Sequence, residues 1–258
     1  MCDKRGCEVI MQGNNYALIL GASGGLGAAL VAQFLADPTI TNVFAVSSQV
    51  RPDFSAMPEG LKSKLVWITC TYNEVSMAQV ADQLTPYQGQ FSRVCVCHGL
   101  LHSDTLWPEK RLEDINADAL HEVFQSNTVV PTLWLKLLFK VLKGSTPCVV
   151  ATLSARVGSI GDNRMGGWHA YRASKAALNM VLKNMAIEYA RRAKNVKLMA
   201  FHPGTTDTGL SKPFQASVPS GKLFTPKFVA SQLSNIMSDA QPDGLLSYVD
   251  WNGQTIDW

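Results

Sequence analysis

Two residues four positions apart, Tyr171 and Lys175, carry the most informative chemistry of this sequence. They lie in a segment with a helical pattern, where residues at positions i and i+4 project from the same face. A neighbouring ammonium group favours the ionised phenol and lowers its pKa from the usual value of about 10. If both side chains reach one cleft, the pair is suited to transferring a proton near neutral pH.

A glycine-rich turn near the start of the chain predicts a second function, the binding of a dinucleotide. The turn follows an apolar run at residues 16–20 and precedes an apolar helical pattern at residues 28–35. Glycines in a strand–turn–helix unit let backbone amides approach a phosphate at the helix N-terminus. A purely conformational turn is the alternative. The predicted phosphate-binding residues are Gly21, Ser23, Gly24, Gly25, Leu26 and Gly27.

The second apolar run covers residues 42–46, and the residues that follow it indicate which dinucleotide binds. A carboxylate at this point holds the adenosine ribose and repels a 2′-phosphate. This chain has Ser47, Ser48 and Arg51 instead, so NADP is favoured over NAD. Asp53 lies close enough in the sequence to leave NAD possible.

Apolar strand-like segments alternate with helical ones along the whole chain, which predicts a parallel sheet covered on both faces. The fold class is therefore α/β, a single doubly wound Rossmann-type domain over residues 1–258 with about seven strands. Pro131 is expected to bend a long helix at 115–143. The predicted strands are 16–20, 42–46, 65–69, 93–97, 148–153, 196–201 and 245–249, and the other predicted helices are 28–35, 76–84, 171–192 and 226–238.

Composition excludes several classes of function. The chain has 258 residues, of which 47% are hydrophobic and 17% charged, and a net charge of +3, which is typical of a globular domain. It has no basic stripe, so nucleic acid is not an expected partner. No apolar run reaches the roughly 20 residues that span a bilayer, and the N-terminus does not resemble a signal peptide. We expect a cytoplasmic protein that does not bind membranes.

The six cysteines are interpreted as reduced thiols, because most of them lie in apolar strand-like runs of a chain without an export signal. Cys95, Cys97, His98 and His102 are close in sequence and are ligand types for zinc. Their spacing is not that of the common zinc sites, and a second pair of ligands is missing. No metal site is predicted.

Taken together, these motifs make the chain resemble the short-chain dehydrogenase/reductase family, most closely its C-factor and Sniffer-like carbonyl reductase branch. The resemblance covers nearly the whole chain. It implies an NADP-dependent oxidoreductase that transfers a hydride between nicotinamide and a small carbonyl or alcohol substrate. It also implies a homodimer or homotetramer. The segments that carry it are residues 21–27, Asn127 and residues 153–163, 166–179 and 202–208.

The resemblance also implies the roles of individual residues. Tyr171 would be the general acid, Lys175 would hold the nicotinamide ribose, and Asn127 would position a water of the proton relay. Alternatively, Tyr171 and Lys175 are an ordinary pair on one helix face, and Asn127 makes a hydrogen bond within its own helix. Residues 209–225 resemble the mobile substrate loop of the family. Further cofactor contacts are implied for Thr69, Cys70, His98, Gly99, Tyr171, Lys175, Pro203, Gly204, Thr206 and Thr208.

The family's substrate-binding serine is harder to place in this sequence. Ser154 is the candidate, but aligning Gly158 with the glycine of the family puts Ala155 at the expected position. On a strand, one residue reverses the direction of the side chain. Four hypotheses stay open: an irregular strand end turns Ser154 towards the substrate, Ser159 replaces it, a water replaces it, or catalysis is weak. The alternative to a catalytic role is that Ser154 caps the strand. A dinucleotide-binding regulator of C-factor type and a structural oligomer are the rival functions.

Overall fold

A computed structural model describes residues 14–50 and 58–258, and within these residues seven strands form one parallel sheet. Arg51 and Asp53 lie outside the described residues. The strands are β1 (Tyr16–Leu20), β2 (Asn42–Ser47), β3 (Leu65–Thr69), β4 (Phe91–Val96), β5 (Cys148–Leu153), β6 (Val196–His202), β7 (Thr205–Thr206), β8 (Leu223–Phe224) and β9 (Ser247–Asp250). The sheet order is β3-β2-β1-β4-β5-β6-β9, which confirms the predicted doubly wound α/β fold.

Helices cover both faces of the sheet, because alternate residues of each buried strand point to opposite sides. The helices are α1 (Gly25–Ala36), α2 (Glu59–Lys62), α3 (Glu74–Leu84), α4 (Ala117–Phe124), α5 (Val130–Leu142), α6 (His169–Arg192) and α7 (Pro226–Asp239). Along β1, Leu18 packs into a core that includes residues of α3, α5 and α6, whereas Ile19 packs into a core with α1 and α7.

The long helix predicted at 115–143 is interrupted just before Pro131. A π-helical turn, Gln125–Val129, joins α4 to α5 and contains Asn127. Proline has no amide hydrogen and cannot bond the carbonyl four residues earlier, so the regular α-helical ladder is lost at this point. Pro131 itself lies in the first turn of α5, where a missing amide costs little.

The segment predicted as a substrate loop has secondary structure of its own. It contains a 3₁₀ helix, Lys212–Ser217, and the short strand β8, which pairs in parallel with β7. Its mobility stays a prediction. Across 14–50 and 58–258, no helix is both long and apolar enough to cross a bilayer, and no three metal-ligand side chains are grouped.

Candidate active site

A cavity of about 790 Å³ opens at the carboxyl ends of β1, β4, β5 and β6. In a parallel sheet this edge gathers the loops that follow the strands, so residues far apart in sequence meet there. Gly24 to Gly27 line one side of the cavity, and residues after β6 line another. The predicted site residues that line it are Gly24, Gly25, Leu26, Gly27, His98, Gly99, Ser154, Tyr171, Lys175, Pro203, Gly204, Thr206 and Thr208.

The glycine turn is built as expected for close backbone packing. The amides of Gly21 and Ala22 both donate to the Val46 carbonyl at 2.9 Å, which fixes the turn to the end of β2. A Cβ on Gly27 would overlap the carbonyl oxygen of Gly21, so only glycine allows α1 to start at this angle. A Cβ on Gly25 would lie 2.7 Å from Cγ2 of Thr208, so the turn and the loop after β6 meet at this point.

Lys175 is a buried cation at the end of β5. Its side chain is 2% exposed, and Nζ donates a hydrogen bond of 2.8 Å to the Leu153 carbonyl. Burial lowers the pKa of Lys175 to about 7. α6 approaches the turn after β5 so closely that a Cβ on Gly158 would lie 2.8 Å from the Lys175 Cβ. The position of the ammonium therefore depends on the glycine at 158.

Tyr171 lines the same cavity one helical turn before Lys175 and is 9% exposed. Burial raises the pKa of the Tyr171 phenol to about 12. The expectation that Lys175 lowers this pKa is wrong for the protein without cofactor. The ammonium lies 5.9 Å from the Tyr171 ring centroid and bonds Leu153, so desolvation of the phenolate outweighs the charge.

Asn127 lies behind the cavity wall and holds its backbone in place. Its Oδ1 accepts the Leu100 amide at 2.6 Å, and its Nδ2 donates to the Leu100 carbonyl at 2.9 Å. A third bond of 3.0 Å joins Nδ2 to Ser174 Oγ on α6. The fully buried amide thus joins the loop after β4 to the helix that carries Tyr171. Asn127 is not among the residues that line the cavity.

Ser154 and Ala155 take different environments at the end of β5. The Ser154 hydroxyl is buried and donates a bond of 2.6 Å to Oδ1 of Asn179. Ala155 packs with Leu101 and Tyr171 instead. Ser154 lines the cavity and its hydroxyl bonds Asn179, so its contact with a substrate oxygen stays a prediction. Ala155, the residue that packs against Tyr171, has no polar group.

The predicted adenosine-side residues do not line the cavity. Ser47 is fully buried, and its Oγ donates to Ser23 Oγ at 2.7 Å, whereas Ser48 is exposed. At the end of β3, Thr69 is exposed and Cys70 is buried, with Cys70 Sγ 3.4 Å from Ser76 Oγ. The Ser47 side chain therefore contacts the glycine turn, and the Cys70 side chain contacts the start of α3.

Two histidines line the cavity as neutral rings. Burial lowers the pKa of His98 to about 3, and its Nε2 accepts the Trp134 indole N–H at 3.0 Å. Burial also lowers the pKa of His202 to about 4. The His98 ring is thus bonded to Trp134 in the core. A contact of His98 with the cofactor stays a prediction.

A family model described as short chain dehydrogenase matches residues 15–218. The chain belongs to the short-chain dehydrogenase family. The resemblance found in its motifs is thereby confirmed, and C-signal and carbonyl reductases are among the similar proteins.

Three comparisons illustrate how this short-chain dehydrogenase relates to known proteins. It is 25% identical over 256 residues to benzil reductase ((S)-benzoin forming) of Bacillus cereus, covering 91% of this chain and 99% of that protein. It is 27% identical over 147 residues to C-signal of Myxococcus xanthus, covering 57% and 83%. The NADPH-bound carbonyl reductase from chicken fatty liver shares the fold with a TM-score of 0.79 at 20% identity, covering 95% and 99%.

Sequence reasoning missed Glu109, which fixes the start of the helix that carries the family's Tyr–Lys pair. Its buried carboxylate accepts the Ala170 amide at 3.2 Å, and its carbonyl accepts the Trp168 amide. A carboxylate at a helix N-terminus is favoured by the helix dipole. Trp168 enters the helix in the left-handed region at φ 51°. No local pattern connects Glu109 to a helix that starts 60 residues later.

We predict that Lys175→Met stabilises the protein without cofactor in a pH-dependent way. Since the folded pKa of about 7 is below the ordinary value of 10.5, the buried ammonium opposes folding. The penalty is complete below pH 7 and disappears as the pH rises towards 10.5. Urea denaturation should show that the free energy of unfolding of the variant exceeds that of the wild type by about 2 kcal/mol at pH 6. This figure includes the loss of the hydrogen bond to Leu153, and the difference should be smaller or reversed at pH 9.5.

The control is Lys183→Met, an exposed lysine on the same helix. It should change the free energy of unfolding by no more than about 0.5 kcal/mol at either pH. An effect of Lys175→Met that does not vary with pH would contradict the lowered lysine pKa.

Proposed function

We propose that the protein is an NADP-dependent carbonyl reductase or alcohol dehydrogenase that uses Tyr171 as its general acid and base. One observation carries the proposal: the glycine turn and the Tyr171–Lys175 pair open into a single cavity. Phosphate-binding backbone and a proton donor then face the same space. When bound, the nicotinamide supplies the hydride.

The segments around the cavity are suited to holding the dinucleotide. The glycine turn stands at the N-terminus of α1, where backbone amides and the helix dipole favour a phosphate. Pro203, Gly204, Thr206 and Thr208 also line the cavity and are the proposed contacts to the nicotinamide half. Lys175 is proposed to hold the nicotinamide ribose.

The preference for NADP is supported by the residues at the end of β2 and just beyond it. Residues 47–50 carry no carboxylate, and Ser48 is exposed at the place where a 2′-phosphate would be recognised. Ser47 supports the turn through Ser23 and is proposed to act indirectly. The chicken enzyme that shares this fold was solved with NADPH.

Tyr171 is protonated at neutral pH. Burial raises its pKa to about 12, so the phenol carries the proton that a general acid delivers to the developing alkoxide. Asn127 is proposed to position the water relay by fixing the Leu100 backbone. Ala155, which packs against Tyr171, offers no side-chain donor, and the Tyr171 hydroxyl is the proposed donor to the carbonyl oxygen.

Tyr171→Phe tests this proposal most directly. The variant keeps the ring and its packing but removes the proton donor, so kcat for a reducible carbonyl should fall by about 10² to 10⁴-fold. NADPH consumption measures turnover, and fluorescence titration should show an unchanged Kd for NADPH. Tight NADPH binding by the wild type without turnover of any carbonyl would support a regulator of C-factor type instead. A cytoplasmic location and a homodimer or homotetramer stay predictions.

Ala155→Ser and Ser154→Ala form a matched pair that tests the donor at the carbonyl oxygen. Ala155→Ser places a hydroxyl beside Tyr171, and kcat should rise by about tenfold, because a donor aimed at the oxyanion lowers the barrier. Ser154→Ala should cost about 1–3 kcal/mol of stability by leaving Asn179 Oδ1 without its partner, while most of the turnover is retained. Loss of turnover in a fully stable Ser154→Ala variant would restore Ser154 as the substrate-binding serine.

A further inference from the structure

We propose that this site reduces uncharged carbonyl compounds that carry an aryl group next to the carbonyl. The inference rests on the proposed function and concerns the part of the cavity beyond Tyr171, here called the substrate chamber. Its walls are the apolar residues that pack around Tyr171. They are Leu101, Ala155, Val157, Trp168, Leu210 and Phe214.

A series of rings leads away from the Tyr171 phenol. The ring centroids of Tyr171 and Trp168 are 6.2 Å apart, and those of Trp168 and Phe214 are 5.2 Å apart, both in edge-to-face geometry. Trp107 continues the series at 6.1 Å from Phe214 and is 58% exposed. Aromatic rings favour such offset and edge-to-face contacts, so an aryl substituent would find matching partners here.

The six residues that form the chamber walls carry no charged side chain. Among the described residues that line the whole cavity, none is Asp or Glu. Lys175 is buried and bonded to Leu153, and the other lysine of this lining, Lys222, is exposed to solvent. A carboxylate drawn against the apolar walls would lose its hydration without an equivalent hydrogen bond, which costs several kcal/mol in general.

The outer wall is fixed by hydrogen bonds, although it belongs to the predicted substrate loop. Ser211 Oγ donates to the Thr206 carbonyl at 2.6 Å, and the Gln215 side chain donates to Asp207 at 2.8 Å. The 3₁₀ helix that carries Phe214 is therefore joined to the segment after β6. Phe214 therefore lies on a helix that hydrogen bonds hold in place, and we assign it a role in substrate specificity.

A panel of three aldehydes tests the inference on the wild-type enzyme with saturating NADPH. Benzaldehyde has the ring, 4-carboxybenzaldehyde adds a charge to it, and propanal lacks it. We expect kcat/KM for benzaldehyde to exceed that of each of the other two by about tenfold or more. Equal or greater kcat/KM for 4-carboxybenzaldehyde or propanal would overturn the aryl preference and leave the proposed function standing. If NADPH reduces none of the three, the aryl preference is overturned, and turnover of other carbonyl compounds decides the proposed function.

Phe214→Ala locates the preference in the chamber. It should lower kcat/KM for benzaldehyde by about tenfold, mainly through KM, with little change for propanal and an unchanged Kd for NADPH. Phe228→Ala removes a similar ring that is 39% exposed and does not line the cavity, so its kcat/KM should stay within about twofold of wild type. Equal effects of the two variants, or equal losses for benzaldehyde and propanal, would overturn the assignment to Phe214. Thermal melts identify a variant that is not folded, and the wild-type panel decides the aryl preference independently.

Discussion

Burial of the Lys175 ammonium against the end of β5 is the constraint on which the rest of the site depends. A lysine that is 2% exposed loses most of its hydration, and the Leu153 carbonyl gives back only one hydrogen bond. The position is held because α6 lies in direct contact with the turn at Gly158, where no side chain fits. Asn127 bonds Ser174 on α6, next to Lys175, and Glu109 bonds the first turn of the same helix.

The same burial connects stability to function. Taking Lys175 and Tyr171 out of water moves their pKa values in opposite directions, to about 7 and about 12, so both favour their neutral forms. At neutral pH the lowered pKa of Lys175 opposes folding, whereas the raised pKa of Tyr171 keeps the phenol protonated. Within 14–50 and 58–258, the non-glycine residues with positive φ are Tyr72 and Trp168, which contact His98 and Tyr171. Local strain thus lies beside the cavity, as is common at functional sites.

Much of the fold can be predicted from sequence because its signals are local. The apolar runs gave the strands to within a few residues, and the glycine turn could be placed between β1 and α1 from its neighbours alone. The site was less predictable where the outcome depends on tertiary contacts. Whether Ser154 or Ala155 faces Tyr171 depends on one residue of register, and Asn179, which bonds Ser154, is distant in sequence. The pKa of Tyr171 depends on burial, which the spacing of two residues does not specify.

Calorimetric titration of the purified protein with NADPH and with NADH is the first measurement to make, since both the site and the proposed chemistry require a dinucleotide in this cavity. We expect saturable binding of one NADPH per chain, and weaker binding of NADH because residues 47–50 offer no carboxylate for its ribose. Tighter binding of NADH would overturn the cofactor preference. Absence of binding by both dinucleotides would overturn the proposed site and the proposed function.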